Sequence, residues 1–298
     1  MPELPEVEAL RLGLETRLVG AKINKITVLK GKIVSSHGTT RVENPLKILQ
    51  FTTKPVGKKI IALERRAKNI IINLSDGSLF LVHLKMTGQL VFVSSDNEKV
   101  IGGHPTQEST QTLPHKHTYI IFELDNGTLY YNDIRQFGYV LYYNNIQEAI
   151  DKQHFKTYGS EPLASDFNFN DFATKLKDKP GILKKVLLDQ TVVVGCGNIY
   201  ADEVCFASGV LPSRKCKSLT RPELQKLYNN IKRILHHAVE QGGSSIANYL
   251  LADGTRGNYA DFHNVYGKKG KQCVICGIPL SSTVLAARTT IFCEKCQK

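Results

Sequence analysis

The sequence predicts an α+β protein of more than one domain, with an antiparallel β half, a helical half and a short cysteine-bearing ribbon at its end. Three observations carry that expectation. Between residues 22 and 133 many short β-rich runs are bounded by turn dipeptides, and no helices alternate with them, which favours an antiparallel sandwich or barrel. From Asn145 the apolar period becomes helical, so a domain boundary is expected near 145–160. The chain then ends on two Cys-x2-Cys pairs separated by 16 residues. At 298 residues there is room for roughly two domains and a sizeable core.

The opening residues, Met1-Pro2-Glu3-Leu4-Pro5-Glu6-Val7-Glu8, read first as a helix start. Proline suits a first helical turn because its missing N–H would have no partner there. Glu6 and Glu8 lie where the helix dipole favours negative charge. Leu4, Val7, Leu10, Leu14 and Leu18 recur as one apolar face, and Gly20 ends the pattern. The same residues have a chemical reading. A small second residue lets the initiator methionine be removed, which makes the Pro2 ring nitrogen a secondary amine beside the carboxylate of Glu3. An ordinary α-amino group loses its proton near pH ~8, so a useful fraction is nucleophilic at neutral pH. The capped helix is the simpler of the two readings, and these eight residues do not decide between them.

Strands are expected over 22–29 and 58–63, followed by two hairpins: 69–74 with 79–84 around Asp76-Gly77, and 118–124 with 128–133 around Asn126-Gly127. The flanks are alike, Ile71-Ile72-Asn73-Leu74-Ser75-Asp76-Gly77 against Ile121-Phe122-Glu123-Leu124-Asp125-Asn126-Gly127, which hints at an internal duplication. Nine residues past each turn glycine come Met86 and Gln136, the latter flanked by Arg135 and Phe137. If a pseudo-twofold relates the halves, Met86, Arg135 and Phe137 converge. A flexible apolar chain, a guanidinium and an aromatic ring together suit a wedge that unstacks a base pair, and plain packing at strand ends is the alternative. Glu64-Arg65-Arg66-Ala67-Lys68 is a basic knot that reads as a solvated edge or a phosphate grip. The polar, Gly- and Thr-rich stretch 94–114 reads as a surface loop.

In the second half, 167–176 and 181–188 are expected helices. Thr191-Val192-Val193-Val194-Gly195-Cys196-Gly197-Asn198 is a glycine-bearing turn into a helix over 199–207. Backbone N–H groups at such a helix start can hold a phosphate with the help of Asn198, and a tight helix–helix corner explains the glycines equally well. Thr220-Arg221-Pro222-Glu223 is a capping box, and the amphipathic helix it opens stops at Gly242-Gly243. His236 and His237 suit that helix's C-terminal end and are not read as ligands.

The tail, Cys273, Cys276, Cys293 and Cys296, has the spacing of a tetrahedral thiolate zinc site. Four cysteines make it closed and structural, with one zinc ion held between two knuckles joined by a β-hairpin. Lys268, Lys269, Lys271, Lys295 and Lys298 surround it, and Arg288 falls where the hairpin turn would aim it outward. The remaining three cysteines, Cys196, Cys205 and Cys216, read as ordinary buried thiols, which with an odd total of seven points to a reducing compartment. No run of 18 apolar residues is present, so no membrane span is expected, and the early glutamates argue against a signal peptide. The net charge of +12 calls for a polyanionic partner.

Four stretches taken together are specific: the opening eight residues, Arg65-Arg66-Ala67-Lys68, the run from Val193 to Asp202 and the run from Arg288 to Gln297. They resemble bacterial formamidopyrimidine-DNA glycosylase, in the same order and over essentially the whole chain. The resemblance implies a bifunctional glycosylase and abasic-site lyase of base excision repair. Such an enzyme excises oxidised purines such as 8-oxoguanine and formamidopyrimidines, then cleaves the strand by β,δ-elimination. It further implies an N-terminal β-sandwich with its helix (1–145), a helical domain with a helix-two-turn-helix (146–262) and a zinc finger (263–298).

Carried over position by position, Pro2 resembles the nucleophile and Glu3 the acid that protonates the opening sugar. Lys68 resembles the lysine near the lesion phosphate. Asn198 and Arg288 resemble the clamp on the phosphates that flank the flipped nucleotide. His115, Arg135 and Lys179 match further DNA contacts, and Met86, Arg135 and Phe137 match the void-filling trio. Residues 252–261 match the loop that covers the flipped base. The implied partner is damaged double-stranded DNA, met by a monomer in the cytoplasm at the nucleoid. Departures are Gln136, where a second basic residue is common, Ala287, where Gly or Gln is common, and the long 94–114 stretch. Two other readings compete. One is an endonuclease VIII-like enzyme for oxidised pyrimidines, against which Leu4 speaks because that class usually has Gly there. The other is a catalytically silent DNA-binding protein with a zinc ribbon.

Overall fold

The apolar stripe at the start of the chain forms a helix, α1 (Leu4–Leu18), in the computed structural model of the protein, which describes residues 1–36, 41–103, 112–244 and 257–298. Contacts divide the chain into two units. The first comprises Met1–Pro2, Glu6–Lys156 and Gly242–Gly257, the second Glu3–Pro5, Thr157–Gln241 and Asn258–Lys298.

In the first unit α1 is followed by β1 (Ile23–Val28), α2 (Lys32–Ser35), α3 (Pro45–Thr53) and β2 (Ile60–Arg66). Then come β3 (Asn69–Leu74), β4 (Leu79–His83), β5 (Gly88–Ser94), β6 (Lys99–Gly103), β7 (Thr118–Leu124), β8 (Gly127–Asp133), β9 (Tyr139–Tyr143) and α4 (Ile146–Lys152). The strands form two antiparallel sheets, β1-β7-β8-β5-β6 and β2-β3-β4-β9. The two hairpins with matching flanks therefore lie one in each sheet, as the sandwich reading of the sequence requires. Val7, Leu10 and Leu14 of α1 join Ile72 and Phe80 of one sheet and Leu90 and Phe122 of the other in a single core. Each fully buried leucine of this stripe contributes about 2 kcal/mol. Phe51 brings α3 into the same core, with its ring 5.1 Å from Phe80 and 6.0 Å from Phe122.

Two sequence expectations change here. The stretch 94–114 is not all loop, because β6 pairs with β5 from Lys99 to Gly103. Its glycines have a packing reason: a Cβ on Gly102 would run into Leu10 Cδ1, so glycine lets α1 approach the strand. Residues 104–111 lie outside the described residues. The basic knot is not a plain solvated edge, because Arg65 is tied down by an acid. β2 runs on through Arg66, and Ala67 makes the turn at φ 54°. Arg65 Nε donates to Glu8 Oε2 at 2.8 Å, while Arg11 Nη2 donates to Glu8 Oε1 at 2.8 Å. Burial alone would raise the Glu8 carboxyl, but the two guanidiniums outweigh it and hold it below the ordinary carboxylate value.

In the second unit α5 (Phe169–Asp178) and α6 (Leu183–Leu187) precede α7 (Asn198–Ser208) and α8 (Arg221–Glu240). The capping box at Thr220 and Glu223 is formed in both directions. Leu224, Leu227, Ile231, Leu235 and Ala238 of α8 pack in one core with Tyr200, Ala201 and Val204 of α7 and Phe172 and Leu176 of α5. The α7 helix is buried on nearly every side and ends on Gly209 in the left-handed conformation, φ 69°. A two-stranded ribbon follows, β10 (Ser281–Leu285) and β11 (Arg288–Phe292). It is knitted to the end of α7 by Leu211 N–H to Lys298 O and Lys298 N–H to Gly209 O, both 2.9 Å. Among the described residues no helix is long and apolar enough to cross a membrane.

Candidate functional site

The four tail cysteines converge as their spacing predicts. Their Sγ atoms all lie within 4.8 Å of one another, with Cys273 to Cys296 at 3.9 Å and Cys276 to Cys293 at 3.5 Å. A tetrahedral ion with metal–sulfur bonds of ~2.3 Å holds its thiolates about 3.8 Å apart, so the donor set fits a metal of zinc's size and preference. Cys196, Cys205 and Cys216 are instead fully buried in the core around α7, and burial pushes the Cys205 thiol far up. Between the knuckles the ribbon turn is made by Ala286 at φ 49° and Ala287 at φ 56°. A turn with two left-handed residues favours Asn and Gly, so the unusual Ala287 carries backbone strain next to the exposed Arg288.

The first turn of α7 gathers several of the expected residues. Glu3 is 3% exposed and takes the place of a capping side chain: Ile199 N–H donates to Glu3 Oε1 at 3.0 Å and Tyr200 N–H reaches Oε2 at 3.5 Å. A Cβ on Gly197 would collide with this carboxyl group, which is why the turn needs glycine there. The helix start therefore holds a protein carboxylate on the N–H groups that the sequence offered to a phosphate. The Asn198 side chain reaches the ribbon: Nδ2 donates to Thr289 O at 3.2 Å, linking it to the residue after Arg288. The Tyr266 hydroxyl also lies against Asn198. Burial raises it and the Asn198 contact draws it down. Lys179 is engaged by Asp189 Oδ2 at 2.9 Å and donates to Thr191 Oγ1 at 2.7 Å.

Three residues of this region were not anticipated from the sequence. Lys184 is 0% exposed, is ion-paired with Asp202 and donates to Asn198 O at 3.0 Å. The other Asp202 oxygen accepts from Ile291 N at 3.2 Å. Burial pushes the Asp202 carboxyl up to about 6, against the pull of Lys184. Glu203, 1% exposed, accepts from Val265 N at 2.9 Å and Tyr266 N at 2.8 Å with one oxygen and from Asn264 N at 2.9 Å with the other. The available signal was an acidic pair, Asp202-Glu203, inside an otherwise apolar helix, where a charge requires a partner. Asp202→Ala strands a buried ammonium, and a loss of about 3–5 kcal/mol is expected. Denaturant unfolding checks it, and a loss below ~1 kcal/mol would show the pair to be dispensable.

In the first unit the proposed wedge residues do meet. Arg135 Nη1 lies 3.1 Å from Met86 Sδ, and its guanidinium sits 4.6 Å from the Phe137 ring centroid. Met86 and Phe137 remain 43% and 47% exposed. They line a cavity of about 570 Å³ with Lys32, Arg41, Lys85, Arg135 and Gln136. Burial, Arg41 and Lys68 together push the Lys85 ammonium below its ordinary value, so positive charge is concentrated on this face. Pro2 is buried while Met1 is 53% exposed. Lys68 is buried at the turn after β2. His115 is half-buried, and its Nδ1 accepts from His117 N at 3.1 Å. Glu6 accepts from Ser244 N at 2.7 Å. Residues 252–256 of the expected covering loop lie outside the described residues.

Residues 1–140 match the formamidopyrimidine-DNA glycosylase N-terminal domain family, and residues 158–249 match the H2TH domain of the same enzymes. The chain belongs to the formamidopyrimidine-DNA glycosylase family. Among curated relatives, the formamidopyrimidine-DNA glycosylase of Listeria innocua is 38% identical over 299 residues, and that of Carboxydothermus hydrogenoformans is 36% identical over 298 residues; each match covers 100% of both chains. Among solved structures, Lactococcus lactis Fpg in complex with an abasic-site DNA superposes with a TM-score of 0.85 at 31% identity, over 99% of each chain. A MutM complex with DNA containing carbocyclic 8-oxo-G gives 0.84 at 31% identity over 100% of each chain. The fold of the glycosylase family is thus the fold of this protein, including the β-sandwich, the H2TH region and the four-cysteine cluster.

Proposed function

We propose that the protein excises oxidised purines, 8-oxoguanine and formamidopyrimidines, from damaged double-stranded DNA and then cleaves the strand at the resulting abasic site. The observation that carries this is the placement of Glu3: the carboxylate next to Pro2 is fixed on the helix turn that bears Asn198. In the reaction, the Pro2 nitrogen, freed by removal of Met1, attacks the sugar C1′ as the base leaves, and Glu3 supplies a proton to the opening sugar ring. An amine nucleophile leaves an iminium at C1′, which makes the neighbouring C2′ proton acidic enough for β- and then δ-elimination of the flanking phosphates. Lys68 assists the elimination steps. Asn198 and Arg288 clamp the phosphates around the flipped nucleotide, with His115 and Lys179 as further contacts. Met86, Arg135 and Phe137 fill the space the base vacates, offsetting unstacking of a few kcal/mol.

The four cysteines hold one structural zinc ion, whose chemistry is to fix the ribbon. The bond-breaking falls to Pro2, Glu3 and Lys68. Three segments, 1–145, 146–262 and 263–298, serve as catalytic, helical and zinc-finger parts, and the protein works as a monomer in the cytoplasm at the nucleoid. A duplex panel tests the substrate assignment. Excision of 8-oxoguanine opposite cytosine is expected to exceed that of thymine glycol by about 10-fold or more, the lower end of what pocket shape alone discriminates. Cleavage of the pyrimidine lesion alone would overturn it.

A further inference from the structure

We propose that Thr87 and Asp133 form a latch that positions the wedge, and that the latch acts when a base pair is opened and not in the chemistry that follows. This rests on the wedge reading of Met86, Arg135 and Phe137. The pairing of β5 with β8 sets Gly88 opposite Asp133, so the segments carrying Met86 and Arg135 leave the same end of one ladder. There, Arg135 N–H donates to Thr87 Oγ1 at 3.0 Å, and the Thr87 hydroxyl donates in turn to Asp133 Oδ1. The other Asp133 oxygen accepts from Gly138 N–H at 2.7 Å. One carboxylate thus fixes the Met86 side and both ends of the segment that carries Arg135 and Phe137.

The surroundings fit a latch. Asp133 is 0% exposed and Thr87 9% exposed, so the chain of hydrogen bonds is shielded from water. Position 133 requires a group that accepts on both oxygens, because the Thr87 hydroxyl donates to one and Gly138 N–H to the other, and an amide would set its NH2 against one of these donors. Gln136 at the crest is held at φ 57°, a strained conformation for a side chain of this kind. Arg41 braces that crest, donating to Gln136 O at 2.8 Å and Gly138 O at 2.6 Å. A Cβ on Gly138 would strike the Tyr131 hydroxyl, so the return strand closes tightly under it. Above this scaffold Met86 and Phe137 stay 43% and 47% exposed.

The test separates opening from chemistry by comparing two substrates for each variant. One is a duplex with 8-oxoguanine opposite cytosine, scored by excision. The other is a single-stranded abasic oligonucleotide, scored by strand cleavage, which has no pair to open. Thr87→Val removes the hydroxyl at nearly constant volume. It is expected to lower kcat/KM on the duplex about 10-fold, the effect of leaving a buried acceptor unmet, and to leave single-strand cleavage within about 2-fold. Thr87→Ser, which keeps the hydroxyl, restores duplex excision. Asp133→Asn follows Thr87→Val; if it does not fold, Thr87→Val and Thr87→Ser decide alone. Equal losses on both substrates, or an undiminished duplex rate in Thr87→Val, overturn the latch. Phe137→Ala separates the two levels of inference: a duplex-specific loss there without one in Thr87→Val rejects the latch alone, whereas no loss in Phe137→Ala rejects the wedge itself.

Discussion

Protein that retains Met1 is expected to bind a lesion duplex and to give no covalent adduct when the mixture is treated with borohydride. With Met1 in place the Pro2 nitrogen is a tertiary amide, whose lone pair is delocalised into the carbonyl, so it cannot attack C1′. Strand cleavage should fall by roughly 10³-fold or more, as when an enzyme loses its nucleophile. Pro2→Gly in correctly processed protein should also lose most of the adduct, because the ring that sets the direction of the amine is gone. Binding should change little in either case, since Asn198, Arg288 and the wedge remain. A trapped yield in the Met1-retaining protein equal to that of the processed enzyme would remove Pro2 from the mechanism.

Loss of the metal is the second large effect. Cys293 is 0% exposed and its backbone N–H is held by Gln297 Oε1 at 2.8 Å, so the knuckle is part of a packed unit with Val265, Leu280 and Ile291. A cluster of this size buries too little apolar surface to hold four thiolates together without an ion. Cys293→Ser, or chelation, should unfold the ribbon and release Arg288, whose strand is held by Asp202 through Ile291 N and by Asn198 through Thr289 O. Affinity for DNA should fall about 10-fold or more and the slope of its salt dependence should drop by about 1, because a phosphate contact goes with the strand. Metal content and a salt titration check this together. Metal lost with affinity unchanged would contradict it.

Much of this organisation is legible in the amino-acid sequence, and what is legible has a common cause. Short β-rich runs around Asp-Gly and Asn-Gly turns locate β3–β4 and β7–β8 because those turns demand residues that accept a positive φ. The convergence of the four tail cysteines is legible because tetrahedral thiolate coordination fixes cysteine spacing. What the pattern concealed depends on contacts between residues far apart in the chain. Gly102 looks like loop composition and is glycine because Leu10 needs the space. Arg65 looks like a phosphate ligand and is held by Glu8, 57 residues away. Lys184 sits in an apolar helical repeat that gives no sign of its pairing with Asp202. The glycine turn before α7 suggested an anion at a helix start, and the anion turned out to be the protein's own Glu3. Met86 and the Arg135–Phe137 pair are legible as neighbours because Arg135 and Phe137 straddle the offset that matches Met86, whereas Thr87 and Asp133 are visible only once the register of β5 and β8 is known.

The central claim is that the Pro2 nitrogen forms the covalent bond to the sugar of an excised purine. Mass analysis of the borohydride-trapped complex on an 8-oxoguanine duplex, after proteolysis, tests it most directly. The result expected is a single reduced adduct on the N-terminal peptide, which begins at Pro2 with Met1 gone and carries the sugar on its α-nitrogen. An adduct mapped to Lys68 or another lysine, with Pro2 unmodified, would contradict the account.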